Sequence, residues 1–313
     1  MNENKGLLSA GALIVKRNKR YVIWFYLLNL TLASFGAAAF RNQAHAILDH
    51  SLYADKLLHG FHLLVLLEML ARPEFGPTNT STMPAFYFAF LFFMATMFFL
   101  PGVLLGYASD HRLPRTEFYR TCGHNIWRFV RLFLFFAVIA GPISGILFAA
   151  QKALTKTADQ TSNERLPFFT QLACLGIIFL VLTAIRIWFD LAQTQVVIRD
   201  QGQVRKSIAA AYRSMKNHRA RLLGSYVAVA LAAMMVLVLG IWAWIKVVPP
   251  ASVLGAFVVS QAILLAWLAA RFWQRACAVA FYLERENEPA AVVIPVHEPV
   301  FPPISATEPT AGI

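Results

Sequence analysis

Between Arg131 and Lys152 the chain reads LFLFFAVIAGPISGILFAAQ, a run of 20 residues (Leu132–Gln151) with no charged side chain. As an α-helix rising about 1.5 Å per residue it is about 30 Å long, the thickness of a bilayer's hydrocarbon core. Backbone N–H and C=O groups inside that layer find no water, so such a run bonds within itself as a helix. Two more uncharged runs of 20, Tyr21–Phe40 and Leu166–Ile185, are bounded by arginine on both sides. The decisive signal is therefore blockwise: apolar stretches of membrane length, each closed off by cations.

The rest of the composition agrees. Of 313 residues, 58% are hydrophobic and 14% charged, with a mean hydropathy of +0.57. Ordinary globular domains hold about 45–50% apolar and about 25% charged residues. Working outward, the hydropathy predicts six spans, at residues 21–40, 84–107, 132–151, 166–185, 222–245 and 251–270. The second carries seven phenylalanines and a Pro101-Gly102 pair expected to kink it. The last is expected to continue as a helix beyond the membrane, through Arg271, Trp273 and Arg275 to about Glu284. The first span also resembles a secretory signal, with KRNKR before it and Ala37-Ala38-Ala39 at its end. Its apolar run exceeds the usual ~7–15 residues of a signal core, so an uncleaved span is expected.

Orientation follows from lysine and arginine. Of the 28, 21 fall in the N-terminal segment, the connections after spans two and four, and the C-terminal region, and 7 fall in the remaining connections. The basic side is expected to be cytoplasmic, with both termini inside. The net charge of +12 flanks apolar spans and does not form a separate basic module, so nucleic acid is not an expected partner. Residues 1–20 then form a basic cytoplasmic segment, residues 21–285 the membrane domain, and the proline-rich residues 286–313 a disordered cytoplasmic tail. The external connection holds KLLHGFHLLVLLEMLA (Lys56–Ala71), too short to span comfortably and expected to be an interfacial or re-entrant helix.

Two basic connections look alike. After span two the chain reads RTEFYRTCGHNIWRFVRLFLFF from Arg115, and after span four RKSIAAAYRSMKNHRARLLGSY from Arg205. Superposing Tyr119-Arg120-Thr121 on Tyr212-Arg213-Ser214 predicts two interfacial elbow helices and a duplicated span–elbow–span unit. The elbow cations are expected to meet anionic headgroups, at about 1 kcal/mol each. Before the second elbow, QVVIRDQGQV (Gln195–Val204) predicts an extended turn or hairpin, with Ser207 capping the helix that follows. The predicted fold class is thus all-α integral membrane, with six spans, two elbows and a short external helix.

The Asn29-Leu30 pair, DHSLYADKLLHGFHL (Asp49–Leu63) and DLAQTQVVIRDQGQVRKSIAAAYRS (Asp190–Ser214) carry a resemblance. Over most of residues 10–285 the chain resembles uncharacterised bacterial six-helix integral membrane proteins. These are distantly similar to the membrane domain attached to some glycerophosphodiester phosphodiesterases. The resemblance implies a bacterial inner-membrane location and a repeated helical architecture. It implies no reaction, since the chain shows no phosphodiesterase catalytic domain.

Candidate chemistry is sparse. Asp55, His59 and His62 project within about 60° of one another on a helix, a carboxylate and two imidazoles that could hold a metal. The bland alternative is the wet face of an interfacial helix. Arg186 and Asp190, one turn apart at the end of span four, are expected to form a local ion pair at membrane depth, where a transport role is the sharper alternative. Gly141-Pro142-Ile143-Ser144-Gly145 has the look of an intramembrane serine-protease motif, but no later span supplies a histidine base. It is read as a close-packing row, like Gly224/Ala228/Ala232 and Ser252/Ala256/Ser260. The three cysteines are too scattered for a disulfide framework or a zinc site, and histidines lie outside the spans, so no cofactor is expected. The favoured function is a non-enzymatic scaffold or accessory component with a membrane-protein partner. A transporter of a small or lipidic molecule is the alternative, and a metal-dependent membrane enzyme the third reading.

Overall fold

A computed structural model describes residues 6–48, 78–109, 111–160, 165–200, 202–249 and 252–286. Among them the chain is helical, with no strand. The helices are α1 (Leu7–Arg17), α2 (Lys19–Leu48), α3 (Thr78–Ala108), α4 (Arg115–Asp159), α5 (Leu166–Ile198), α6 (Val204–Asn217), α7 (Arg219–Val247) and α8 (Val253–Glu286). Six of these, α2, α3, α4, α5, α7 and α8, are long and apolar enough to cross a membrane. The chain is a multi-pass helical membrane protein. The short helix expected at 56–71 and the tail from 287 onward lie outside the described residues.

The helices alternate in direction, so the ends near Arg17, Ala108, Arg115, Ile198, Arg219 and Glu286 gather at one end of the bundle, here the basic end. Buried residues concentrate there. Leu100, Val103, Leu104 and Tyr107 close α3, Phe129 and Leu132 open α4, and Ile185, Ile187, Phe189–Ala192 and Thr194–Val197 close α5. The hub is the stretch Ala276–Tyr282 of α8, ACAVAFY, in which all seven residues are buried. A helix that is apolar all round is one surrounded by other helices. α8 touches α1, α2, α3, α5 and α7. Toward the opposite end burial is sparse: α4 has no buried residue between Phe133 and Thr157, and α7 none after Ala233.

Helix α1 was not anticipated in the basic N-terminal segment. It lies against α8, where Trp273 Nε1 donates to Leu8 O at 3.0 Å and a Cβ on Gly11 would come within 2.6 Å of Cys277 Sγ. α3 runs through Pro101-Gly102 as one helix. Gly102 serves a close approach there, since a Cβ would meet the Phe118 ring of α4 at 2.5 Å.

Of the two expected elbows, only the second is a helix of its own. The first is the opening of α4, a continuous helix of 45 residues. Its buried positions Cys122, Asn125, Phe129 and Leu132 form one stripe that runs from the basic segment into the apolar one without a change of phase. The second elbow, α6, is set off by His218 at φ −125° and ψ 26°. Side chains from its neighbours hold it: Trp188 Nε1 donates to Ile208 O at 2.9 Å, and Arg285 Nη1 donates to Ser214 Oγ at 2.6 Å.

Two local expectations are corrected. The apolar alternation at Gln195–Ile198 belongs to the end of α5, not to a hairpin, because Val196 and Val197 are buried on a helix enclosed from several sides. Ser207 lies inside the first turn of α6, whose N-cap is Gln203 without a side-chain cap bond.

Candidate functional site

The polar side chains that the fold encloses meet at the basic end, where α3, α5, α7 and α8 converge. On α5, Arg186 and Asp190 stand one turn apart with Arg186 Nε 3.7 Å from Asp190 Oδ2. Asp190 is 8% exposed at its side chain, and the same Oδ2 accepts a 2.9 Å hydrogen bond from the Tyr226 hydroxyl of α7. Gln274 of α8 donates through Nε2 to Tyr226 O at 3.1 Å, fixing the helix that carries the tyrosine. Arg275, also on α8, is half-buried with its Nε covered, and it feels the charges of Asp190 and Arg186. The Tyr107 hydroxyl of α3 lies buried beside this group without a hydrogen-bond partner among the described residues.

The charge balance is uneven. Among the described residues Asp190 is the carboxylate paired with Arg186, and neither Arg271 nor Arg275 has one. Arg271 instead lies over the Trp267 ring, 5.6 Å from its centre. Beside the cluster is a cavity of about 230 Å³ lined by Phe179, Leu182, Thr183 and Arg186 of α5, Ala230 and Ala233 of α7, and Trp267, Ala270, Arg271 and Gln274 of α8. A second hollow of about 350 Å³ lies between α1, α7 and α8, walled by alanines such as Ala232, Ala266 and Ala269. A third, of about 320 Å³, has aromatic walls (Trp24, Phe25, Phe118) and the cations Arg20 and Arg115.

A separate polar contact clamps the turn between α5 and α6. Asp200 sits there at φ +50°, a conformation that Asp tolerates better than most residues. Its Oδ1 accepts from Arg128 and lies 3.1 Å from His124 Nε2, both on α4. The Arg128 hydrogen bond, and after it the His124 one, holds the Asp200 carboxyl below the usual carboxylate range.

Of the residues singled out from sequence, Arg186 and Asp190 lie in this cluster, whereas Asp55, His59 and His62 lie outside the described residues. Among those described, no three His, Cys, Asp or Glu side chains are grouped to hold a metal. The small-residue reading of Gly141 and Gly145 is corrected. A Cβ at either would meet nothing within 4 Å, as it would at Gly224, because the faces of α4 and α7 that carry them are not covered by another helix among the described residues. Sequence reasoning missed Tyr107, Tyr226, Gln274 and Arg275 as members of the cluster. A signal for the last two was present: polar residues at 271, 274 and 275 share one face of a helix that continues as the apolar run ACAVAFYL. Comparison of the chain with protein-family models, curated proteins and solved structures finds no match.

Proposed function

We propose that this chain is a non-enzymatic component of the bacterial inner membrane, a scaffold that presents its spans to a partner membrane protein. In this reading the basic end and both termini face the cytoplasm, and the resemblance between the two basic connections reflects a duplicated unit. One observation carries it: burial concentrates at the basic end, and toward the other end α4 and α7 each turn an exposed apolar face outward. On α4, Val138 is 71% exposed, and on α7, Leu239 is 59% exposed. Such faces are available to a second protein's helices, where close contact and not water exclusion drives association. The resemblance to uncharacterised bacterial membrane proteins supports the location, and the excess of cations at one end supports the orientation.

A photo-crosslinking side chain placed at Val138 or at Leu239 in native membranes tests the reading. A protein adduct of one defined mass, recovered from these positions and not from buried Ala278, is expected. Adducts to lipid alone would sink it. The transporter alternative rests on the enclosed Arg186–Asp190 cluster. It asks for substrate flux that D190N abolishes in reconstituted vesicles. The metal-enzyme reading depends on Asp55, His59 and His62 and stands or falls with metal analysis of the purified chain.

A further inference from the structure

We propose that the cleft between α5, α7 and α8 binds the phosphodiester headgroup of an anionic glycerophospholipid, with Arg186 and Arg271 as its cations. The two main walls are built alike. Phe179, Leu182, Thr183 and Arg186 follow i, i+3, i+4, i+7 on α5, and Trp267, Ala270, Arg271 and Gln274 do so on α8. Both helices run toward the basic end, so each wall begins apolar and finishes polar. The cleft is therefore graded along the membrane normal, as an amphiphile is.

Depth places the cations. Arg186 follows Leu166 by 20 residues and Arg271 follows Val253 by 18, so they stand about 30 Å and about 27 Å from the far ends of their helices. That is the span of the hydrocarbon core, and it sets both guanidiniums at the level of lipid phosphates on the basic side. The wall residues Phe179 and Trp267 are 41% and 40% exposed, so the cleft opens sideways to the bilayer. A lipid can enter without leaving its leaflet. At about 230 Å³ the cleft takes a headgroup and the start of the chains, and the remaining acyl carbons lie along the bare far halves of α5 and α7.

Charge selects the ligand class. With Arg186 shared with Asp190, and Arg271 and Arg275 unpaired among the described residues, the site is cationic overall. Guanidinium forks match phosphate oxygens. A free phosphate ion offers the same oxygens, but the apolar half of the cleft, Leu182, Ala230, Ala233 and Trp267, gives it nothing in exchange for its hydration. The proposal does not rest on the scaffold reading, because its headgroup cations lie at the basic end, away from Val138 and Leu239.

Native mass spectrometry of the full chain, released from a neutral detergent, distinguishes the sources. Dioleoyl phosphatidylglycerol, dioleoyl phosphatidylcholine and inorganic phosphate are titrated separately. The expected result is retention of phosphatidylglycerol over the other two. R271Q weakens it about fivefold or more, the loss of one headgroup–arginine contact, and R271K restores it only in part, because lysine keeps the charge without the planar fork. R205Q, on the exposed side of α6, leaves it unchanged. Equal retention of phosphatidylcholine, displacement by equimolar inorganic phosphate, or an indifferent R271Q overturns the proposal. Should R271Q fail to fold, brominated phosphatidylglycerol decides on the wild-type protein. Quenching that falls with W267F supports the site, and quenching equal in both places the lipid elsewhere and refutes it.

Discussion

Asp190 is the residue on which the buried cluster turns, because one carboxylate oxygen faces both the Tyr226 hydroxyl and the Arg186 guanidinium. Replacing it with alanine strands a buried hydroxyl and leaves Arg186 and Arg275 without their nearest anion. D190A is expected to lower stability by about 2–3 kcal/mol, and D190N by less, since its amide oxygen still accepts from Tyr226. Thermal unfolding in detergent checks this, and equal midpoints for the two variants would contradict it. At the same scale Gly11 exists for contact, its missing side chain leaving room for Cys277. G11L is expected to lift α1 from α8 at a cost of about 1–3 kcal/mol. The buried Cys277 thiol then becomes reactive toward a maleimide in a C122A/C174A background, and unchanged protection would show that α1 stays docked.

Among elements, the turn between α5 and α6 carries the clearest dependence on pH. Because Arg128 and His124 hold the Asp200 carboxyl below its ordinary value near 3.8, the clamp favours the folded state wherever the carboxylate is ionised. Its contribution is complete above the ordinary carboxylate value and fades as pH falls through the lowered one. A spin label at Q203C is therefore expected to stay immobile from neutral pH to about pH 4 and to loosen only below that. In D200N it is mobile throughout. Mobility that changes near pH 6 instead would assign the event to another group. The elements also explain why the two expected elbows differ. Both sequences are basic and amphipathic, yet one continues straight into its span and the other stands apart. Trp188 of the preceding helix and Arg285, distant along the chain, secure the separate one.

For the whole molecule, the asymmetric placement of the core predicts asymmetric stability. Amide exchange in detergent micelles is expected to be slowest along Ala276–Tyr282 and much faster along Leu231–Val247, most of whose residues are exposed. Uniform protection along both stretches would mean that the far half is held as firmly as the basic end.

The amino-acid order by itself determined that six helices are long and apolar enough to cross a bilayer, and that α8 runs on past its apolar run to about Glu284, whereas α4 opens at Arg115, well before the expected 132, and α5 runs to Ile198, well past 185. It could do so because the cause is local: a backbone group in hydrocarbon has only its own helix to bond with. Only the tertiary structure decided that the core sits at one end, that ACAVAFY is its hub, that Gly11 and Gly102 mark close contacts while Gly141 and Gly145 do not, and that Tyr226 and Arg275 join Arg186 and Asp190. Hydropathy does not distinguish a face turned to lipid from one turned to protein, since both are apolar. Which of them is covered depends on the arrival of residues distant along the chain.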